Sequence, residues 1–321
     1  MEGGPVASHS FWVIVQKEIS DYVRSWRFII LIGIIALTCM GSMYTAMGSI
    51  GKAMKANESA DSFFFLKLFT ISDGSLPSFI IFISFLGPLL GISLGFDAIN
   101  LEQNRGTLSR LMAQPIHRDY LINAKFVAAL AVISVMFFSL VFLVLGLGLI
   151  FIGIPPSPEE FMRILFFILI SILYVAFWLN LSIFFSVKFR QAATSALSGI
   201  SVWLFFSVFF SMIVDLVAKV FSPSAMAPER VQIAYQNFIL NLMRISPAQL
   251  FSEATTTLLM PSVRSLGPLT MEQVQGTIPS PLGLGQSLML VWPQVTGLIA
   301  GTVLCFALSY SSFMRMEIRS R

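Results

Sequence analysis

Side chains able to do chemistry are few in this 321-residue chain, and they stand far apart. No metal-ligand spacing gathers around its two histidines, His9 and His117, and no nucleophile is paired with a base. Cys39 and Cys305 both fall inside long apolar runs and read as small packed side chains, silent about redox compartment. Met40, Met43 and Met47 form a stripe at helical spacing, and thioethers can bind Cu(I). With 16 Met in the chain and no His or Cys ladder beside them, the stripe reads as packing. "GSIGKA" (48–53) has the outline of a phosphate loop, but Ala46 and Ala53 stand where that loop needs Gly and Ser or Thr. The expectation is no catalytic residue, no bound metal and no cofactor in this chain.

The elements that carry these residues are greasy. Hydrophobic residues make up 56% of the chain and charged ones 11%, and the mean hydropathy is +0.84. A soluble domain needs more charge than that to cover its surface. Six apolar runs are long enough to cross a bilayer as helices: Phe28 to Gly48, Leu76 to Phe96, Phe126 to Gly153, Ile164 to Val187, Ala192 to Val214 and Val291 to Ser312. A charged and aromatic lead (1–27) precedes the first run with no small-residue cleavage site, so no cleaved leader is expected. Within that lead, Phe11, Val15, Ile19, Tyr22 and Trp26 repeat every three or four residues, the pattern of an amphipathic helix lying in the membrane interface.

Twelve of the 20 Lys and Arg fall in the N-terminal lead, in Asp97 to Lys125, in Lys188 to Gln191 and in the C-terminal tail. The positive-inside rule places these segments, and both termini, in the cytoplasm, which fits an even number of spans in an inner membrane. Basic residues spread over separate loops, without an aromatic-basic motif, exclude a nucleic-acid partner. The organisation expected is an all-α integral membrane protein. Its parts are a lead with an interfacial helix (1–27), spans one to five (28–214), an outer helical subdomain (215–290), and a sixth span with a cytoplasmic tail (291–321). In the outer segment, Val231, Ala234, Tyr235, Phe238 and Leu242 predict one short helix. Ser246, Pro247 and Gln249 predict a capping box that starts a second, from Pro247 to about Leu258. Ser49 to Ser75 reads as a mixed-charge loop.

Between the second and third runs lies a polar island, "NLEQNRGTLSRLMAQPIHRDYLINAK" (100–125). Gly106 to Gln114 reads as a short helix stopped by Pro115, with Leu108, Leu111 and Met112 on one side and Arg105, Ser109 and Arg110 offering polar contacts. Asp119 can cap the helix that follows. The island resembles the Glu-x-x-x-Gly-Thr-Leu, Pro-x-x-Arg, Lys pattern of permease subunits of type-2 ABC transporters, with Glu102, Gly106, Thr107, Leu108, Pro115, Arg118 and Lys125 on the matching positions. Lys17-Glu18 in an interfacial helix, six spans and a Ser-Pro turn (Ser246, Pro247) before the last span are similar to that family as well. "LSGIS" (197–201) lacks the second Gly and the Gln of the ATP-cassette signature, so nucleotide binding is not expected in this chain.

What the resemblance implies is a membrane subunit, driven by a separate cytoplasmic ATPase that binds ATP and Mg. Six spans are half the usual complement, so the implied assembly is two ATPases on two permease chains, here read as a homodimer. The island would be the coupling helix (102–115) on which the ATPase docks, through Glu102, Arg105, Gly106, Thr107, Leu108, Arg110, Leu111, Pro115 and Arg118. Glu102 and Arg110 are the expected charged contacts, and Leu108 and Leu111 the buried part of the joint. Near-absence of charge within the spans argues against a proton or ion relay. Asn180, Ser198 and Ser201 could line a translocation path, but hydrogen bonding between packed helices is the favoured reading of such residues. Export is the expected direction. The alternative is a scaffold whose ATPase supports assembly of an extracytoplasmic partner, since one branch of the family assists maturation of the copper enzyme nitrous-oxide reductase.

Overall fold

Within hydrocarbon every backbone N–H and C=O must be satisfied inside the segment, which leaves helices as the solution for long apolar runs. The computed structural model follows that rule. It describes residues 5–55, 63–72, 74–113, 117–153, 155–224, 226–263, 265–266 and 281–316, and among these the regular elements are all helical. Six helical segments are long and apolar enough to span a membrane: Trp26–Gly51, Phe79–Asn104, Arg118–Ile152, Pro158–Lys188, Ala192–Phe221 and Leu284–Arg315. The chain is a multi-pass membrane protein.

The elements are α1 (Pro5–Val23), α2 (Trp26–Lys55), α3 (Phe64–Thr70), α4 (Phe79–Gly95), α5 (Asn100–Asn104), α6 (Thr107–Met112), α7 (Arg118–Ile152), α8 (Pro158–Lys188), α9 (Ala192–Leu204), α10 (Phe210–Phe221), α11 (Glu229–Met243), α12 (Pro247–Leu259) and α13 (Leu284–Arg315). A π-helical turn, Phe205–Phe209, joins α9 to α10 in the fifth span, where the sequence had suggested an unbroken helix.

Several helices begin earlier than hydropathy indicates, and at α8 a cap sets the end. α8 starts at Pro158, not Ile164: Ser157 and Glu160 form a reciprocal capping box with Pro at the first helical position. The capping box expected at Ser246 does not form. Ser246 is the N-cap residue of α12 by backbone geometry alone, and the Gln249 amide donates to Glu253 Oε1 at 3.0 Å instead. α7 starts at Arg118 with His117 as its N-cap residue, so Asp119 sits inside the first turn and caps nothing.

α8 is the central post, packed against α4, α7, α9, α12 and α13. Its approach to α4 is set by Gly87, Gly91 and Gly95, which share one face at a spacing of four. A Cβ at Gly91 would stand 2.7 Å from the Val175 carbonyl oxygen and 2.9 Å from the Leu179 nitrogen. The two backbones therefore touch along a strip that admits no side chain, the close packing that small residues permit in membranes. α4 continues through Pro88.

The segment read as a mixed-charge loop contains α3, whose Phe65, Leu66, Leu68 and Phe69 are buried. Glu160 holds it in place: Oε2 accepts from the Ser157 N–H of its own cap at 2.8 Å, and Oε1 accepts from Phe65 N–H at 2.9 Å. α12, in the outer segment, packs into the bundle. Phe251 stacks on Tyr174 of α8 with centroids 4.4 Å apart. Arg163 of α8, fully buried, donates to Leu258 O at 2.8 Å, to Ser287 Oγ at 3.1 Å and to Glu159. α11 contrasts with α12: none of its residues is buried, and it packs against α10.

Candidate functional site

The island between the second and third spans becomes two short helices, α5 and α6, broken at Arg105-Gly106. Gly106 has φ +69°, a left-handed conformation that a residue with a Cβ resists. The break turns the chain so that Thr107 Oγ1 donates to Glu102 O at 3.2 Å and Leu108 falls into the core. This pair of helices is bolted to the bundle from several sides. Ser186 Oγ, on the last turn of α8, accepts from Ile99 N–H at 2.9 Å and Asn100 N–H at 3.2 Å, satisfying two donors at the start of α5. The Asn104 amide donates to Arg190 O at 2.8 Å. Arg27 pairs with Asp97 at 2.7 Å and lies 4.9 Å from the Phe96 ring.

A further bolt is ionic. α1 packs on α7 through Val15 against Ala124 and Ala128, which brings Glu18, one turn along α1, over Lys125. Lys125 Nζ lies 2.9 Å from Glu18 Oε2 and 2.8 Å from Glu102 Oε1, with side-chain exposures of 4%, 6% and 12%. Lys17 adds a second cation, 3.0 Å from Glu18 Oε1 and 3.3 Å from Asp21. Burial acts to raise the Glu18 carboxyl, but the Lys125 charge and the hydrogen bonds from Lys125 and Lys17 outweigh it and hold the group below the ordinary carboxylate range. One cluster thus joins the interfacial helix, the island and the third span. Glu102 Oε2 and the Tyr22 hydroxyl are buried beside it without a hydrogen-bond partner. Burial, then the nearby Glu18, Asp97 and Glu102 charges, push the Tyr22 phenol well above its usual value.

A cavity of about 580 Å³ opens between α1 and the island, lined by Lys17, Asp21, Tyr22, Arg27, Asp97, Glu102, Arg105, Arg110 and Lys125 among others. Arg105 and Arg110 are exposed. The residues expected to dock a partner therefore divide. Glu102 is engaged by Lys125, Gly106 and Thr107 shape the break, and Leu108 and Leu111 pack against this chain's own core. Arg118 reaches the last turn of α13, where it donates to Met314 O at 3.3 Å and to Met316 O and lies 5.5 Å from the Phe313 ring. Pro115 and the side chains of Ser109 and Met112 lie outside the described residues.

Nothing in the sequence pairs Glu18 with Lys125, although each stands on a position that resembles the family pattern. Asn180 is fully buried, its amide 3.4 Å from Thr302 O, and Ser309 Oγ donates to its carbonyl at 3.0 Å. It bonds α8 to α13. Ser198 Oγ donates to Thr194 O at 2.8 Å, and Ser201 is exposed on the fifth span. No group of three or more His, Cys, Asp or Glu among the described residues could hold a metal ion.

The model of the ABC-2 family transporter proteins matches residues 12–318, nearly the whole chain. The chain belongs to the ABC-2 family. It is similar to two curated relatives, each named a probable ABC transporter permease protein NosY. The one from Pseudomonas aeruginosa is 24% identical over 211 residues, covering 63% of this chain and 68% of the relative. The one from Stutzerimonas stutzeri is 24% identical over 225 residues, covering 68% and 74%. This ABC-2 protein is thus a membrane permease subunit of an ABC transporter, and membership implies an ATPase as its partner.

Proposed function

We propose that this permease is the membrane half of an exporter in the inner membrane, with both termini cytoplasmic, and that α5 and α6 are the joint through which two ATPase subunits move two copies of it. ATP and Mg belong to the ATPase. The carrying observation is the buried Glu18–Lys125–Glu102 cluster. An ATPase can shift the permease between two arrangements only through a contact that differs between them, and a soft loop would absorb such a push. Here the push on α5 and α6 is delivered to α1, α7 and α8 through ion pairs and the Ser186 bonds. The face left for the ATPase is basic, with Arg105 and Arg110 outermost, so an acidic surface is the fitting complement. α3 and α12 are held at the start of α8, the end away from the joint, by Glu160 and Arg163. Exposed Leu197, Phe209, Met212 and Leu216 on the fifth span offer a face for a second permease chain.

A scaffold function has one observation in its favour: α11 stands outside the bundle with Val231 and Phe238 exposed, which suits a partner on the far side.

Co-expression with the ATPase tests the docking face. The double variant Arg105→Glu, Arg110→Glu should insert and purify normally yet lose at least about tenfold in ATPase retention, since reversing two charges opposes association by several kcal/mol. Undiminished retention would refute the docking face, and cargo movement in proteoliposomes of the intact complex separates export from scaffolding.

A further inference from the structure

On the opposite side of α1 from the cytoplasmic cavity, a second hollow of about 460 Å³ runs between the first and third spans, and its wall is almost wholly hydrocarbon. Ile19 and Val23 of α1 form its floor, Phe28, Ile32 and Ala36 one side, and Val132, Val135 and Met136 much of the other. Phe28 to Ala36 covers about 12 Å along a helix axis, so the hollow is a groove rather than a dimple. Its rim faces outward from the bundle, with Ile29, Ile30 and Val135 exposed.

The floor ends next to an unbalanced cation. Around the corner between α1 and α2, Glu18 is taken by Lys125 and Lys17, Asp21 by Lys17, and Asp97 by Arg27. Arg24, exposed and adjacent to Val23, has no acidic partner among the described residues. Trp26, 77% exposed, stands beside it, and indole rings favour the headgroup layer. Arg24 and Trp26 stand outside the lining, in the short stretch of chain between its Val23 and Phe28, and a hydrocarbon slot with a guanidinium and an indole at that turn is complementary to a ligand with an aliphatic tail and an anionic head.

We infer that this groove binds one anionic phospholipid of the membrane leaflet next to α1, with an acyl chain between Ile32 and Val135 and the phosphate on Arg24. The lipid packs against α1 directly behind the Glu18–Lys125 cluster, and so adds apolar contact to the face of α1 that the ion pairs do not hold. The inference stands independently of the transport reading.

Native mass spectrometry of the full chain, released from detergent with phosphatidylglycerol or phosphatidylcholine of identical chains, tests it. The expected result is one retained lipid per chain with about a fivefold preference for phosphatidylglycerol, the contribution of a single Arg at an anionic surface. Arg24→Glu should abolish the preference. Ala36→Phe, and separately Val135→Trp, should remove the lipid. Val135 is 67% exposed, so its variant fills the groove without crowding the core. Equal retention of both lipids, an unchanged preference in Arg24→Glu, or a lipid that persists in both filled variants overturns the site. A dimer mass that replaces the lipid and disappears in Val135→Trp overturns it too, and assigns the groove to a second copy of the chain.

Discussion

Lys125→Met should lower the stability of the detergent-solubilised permease by about 3–5 kcal/mol, the cost of leaving buried charge without its partner. The substitution keeps the length and apolar contacts of the side chain and deletes only the ammonium. Glu18 and Glu102 would then face each other behind α1, with Lys17 alone to offset them, and Lys17 is more than half exposed. Two neighbouring carboxylates cannot both stay ionised in such a place, so at least one must take up a proton or reach water. Reaching water means peeling α1 and α5 away from α7. A lowered thermal midpoint is the readout of stability. The triple variant Lys125→Met, Glu18→Gln, Glu102→Gln separates charge from packing: it should recover most of the loss, because a neutral cluster carries no unpaired charge. A Lys125→Met protein as stable as the parent would show that the cluster contributes nothing to the joint.

Gly91→Leu should be as damaging by a different route. A Cβ at this position would meet two backbone atoms of α8, and backbone, unlike a side-chain tip, cannot rotate aside. α4 and α8 would have to separate along their whole contact, giving up the packing of Gly87 and Gly95 as well, at a cost of about 3 kcal/mol, the upper end for overpacking. Gly33→Leu is the matched control, since a Cβ there meets nothing within 4 Å. The yield of monodisperse protein and its thermal midpoint should fall for Gly91→Leu and hold for Gly33→Leu. Equal behaviour of the two would mean that the α4–α8 contact is looser than its geometry implies.

The six spans were legible because lipid leaves a long apolar run no alternative to helix. Their ends were not, because helices run on past the apolar stretch and, at α8, hydropathy does not register the cap. The Ser157-Pro158-Glu159-Glu160 signal was present in the sequence and more reliable than the one at Ser246, since an ionised Glu can reach back to the cap whereas Gln249 found a carboxylate instead. α3 hid because seven residues are too few for a span, and its phenylalanines are buried only once the neighbouring and more distant helices pack around them, Phe69 against both Phe79 and Phe167. The joint was half visible. Motif positions marked Glu102, Lys125 and Glu18 individually, but nothing local says that residues 107 apart share a charge, or that a motif glutamate serves its own chain before any partner. Asn180 was ambiguous in the sequence, and the packing shows which helices it bonds: its amide reaches Thr302 O and its carbonyl accepts from Ser309.

A photocrosslinking side chain at position 110, in membranes carrying both permease and ATPase, tests the proposed joint most directly. The predicted result is a covalent adduct with the ATPase whose yield changes when ATP is added, together with no labelling of a cysteine at that position by an impermeant reagent applied from outside. An ATPase that assembles with the permease but never forms the adduct, or a position 110 that reacts from outside, would contradict it.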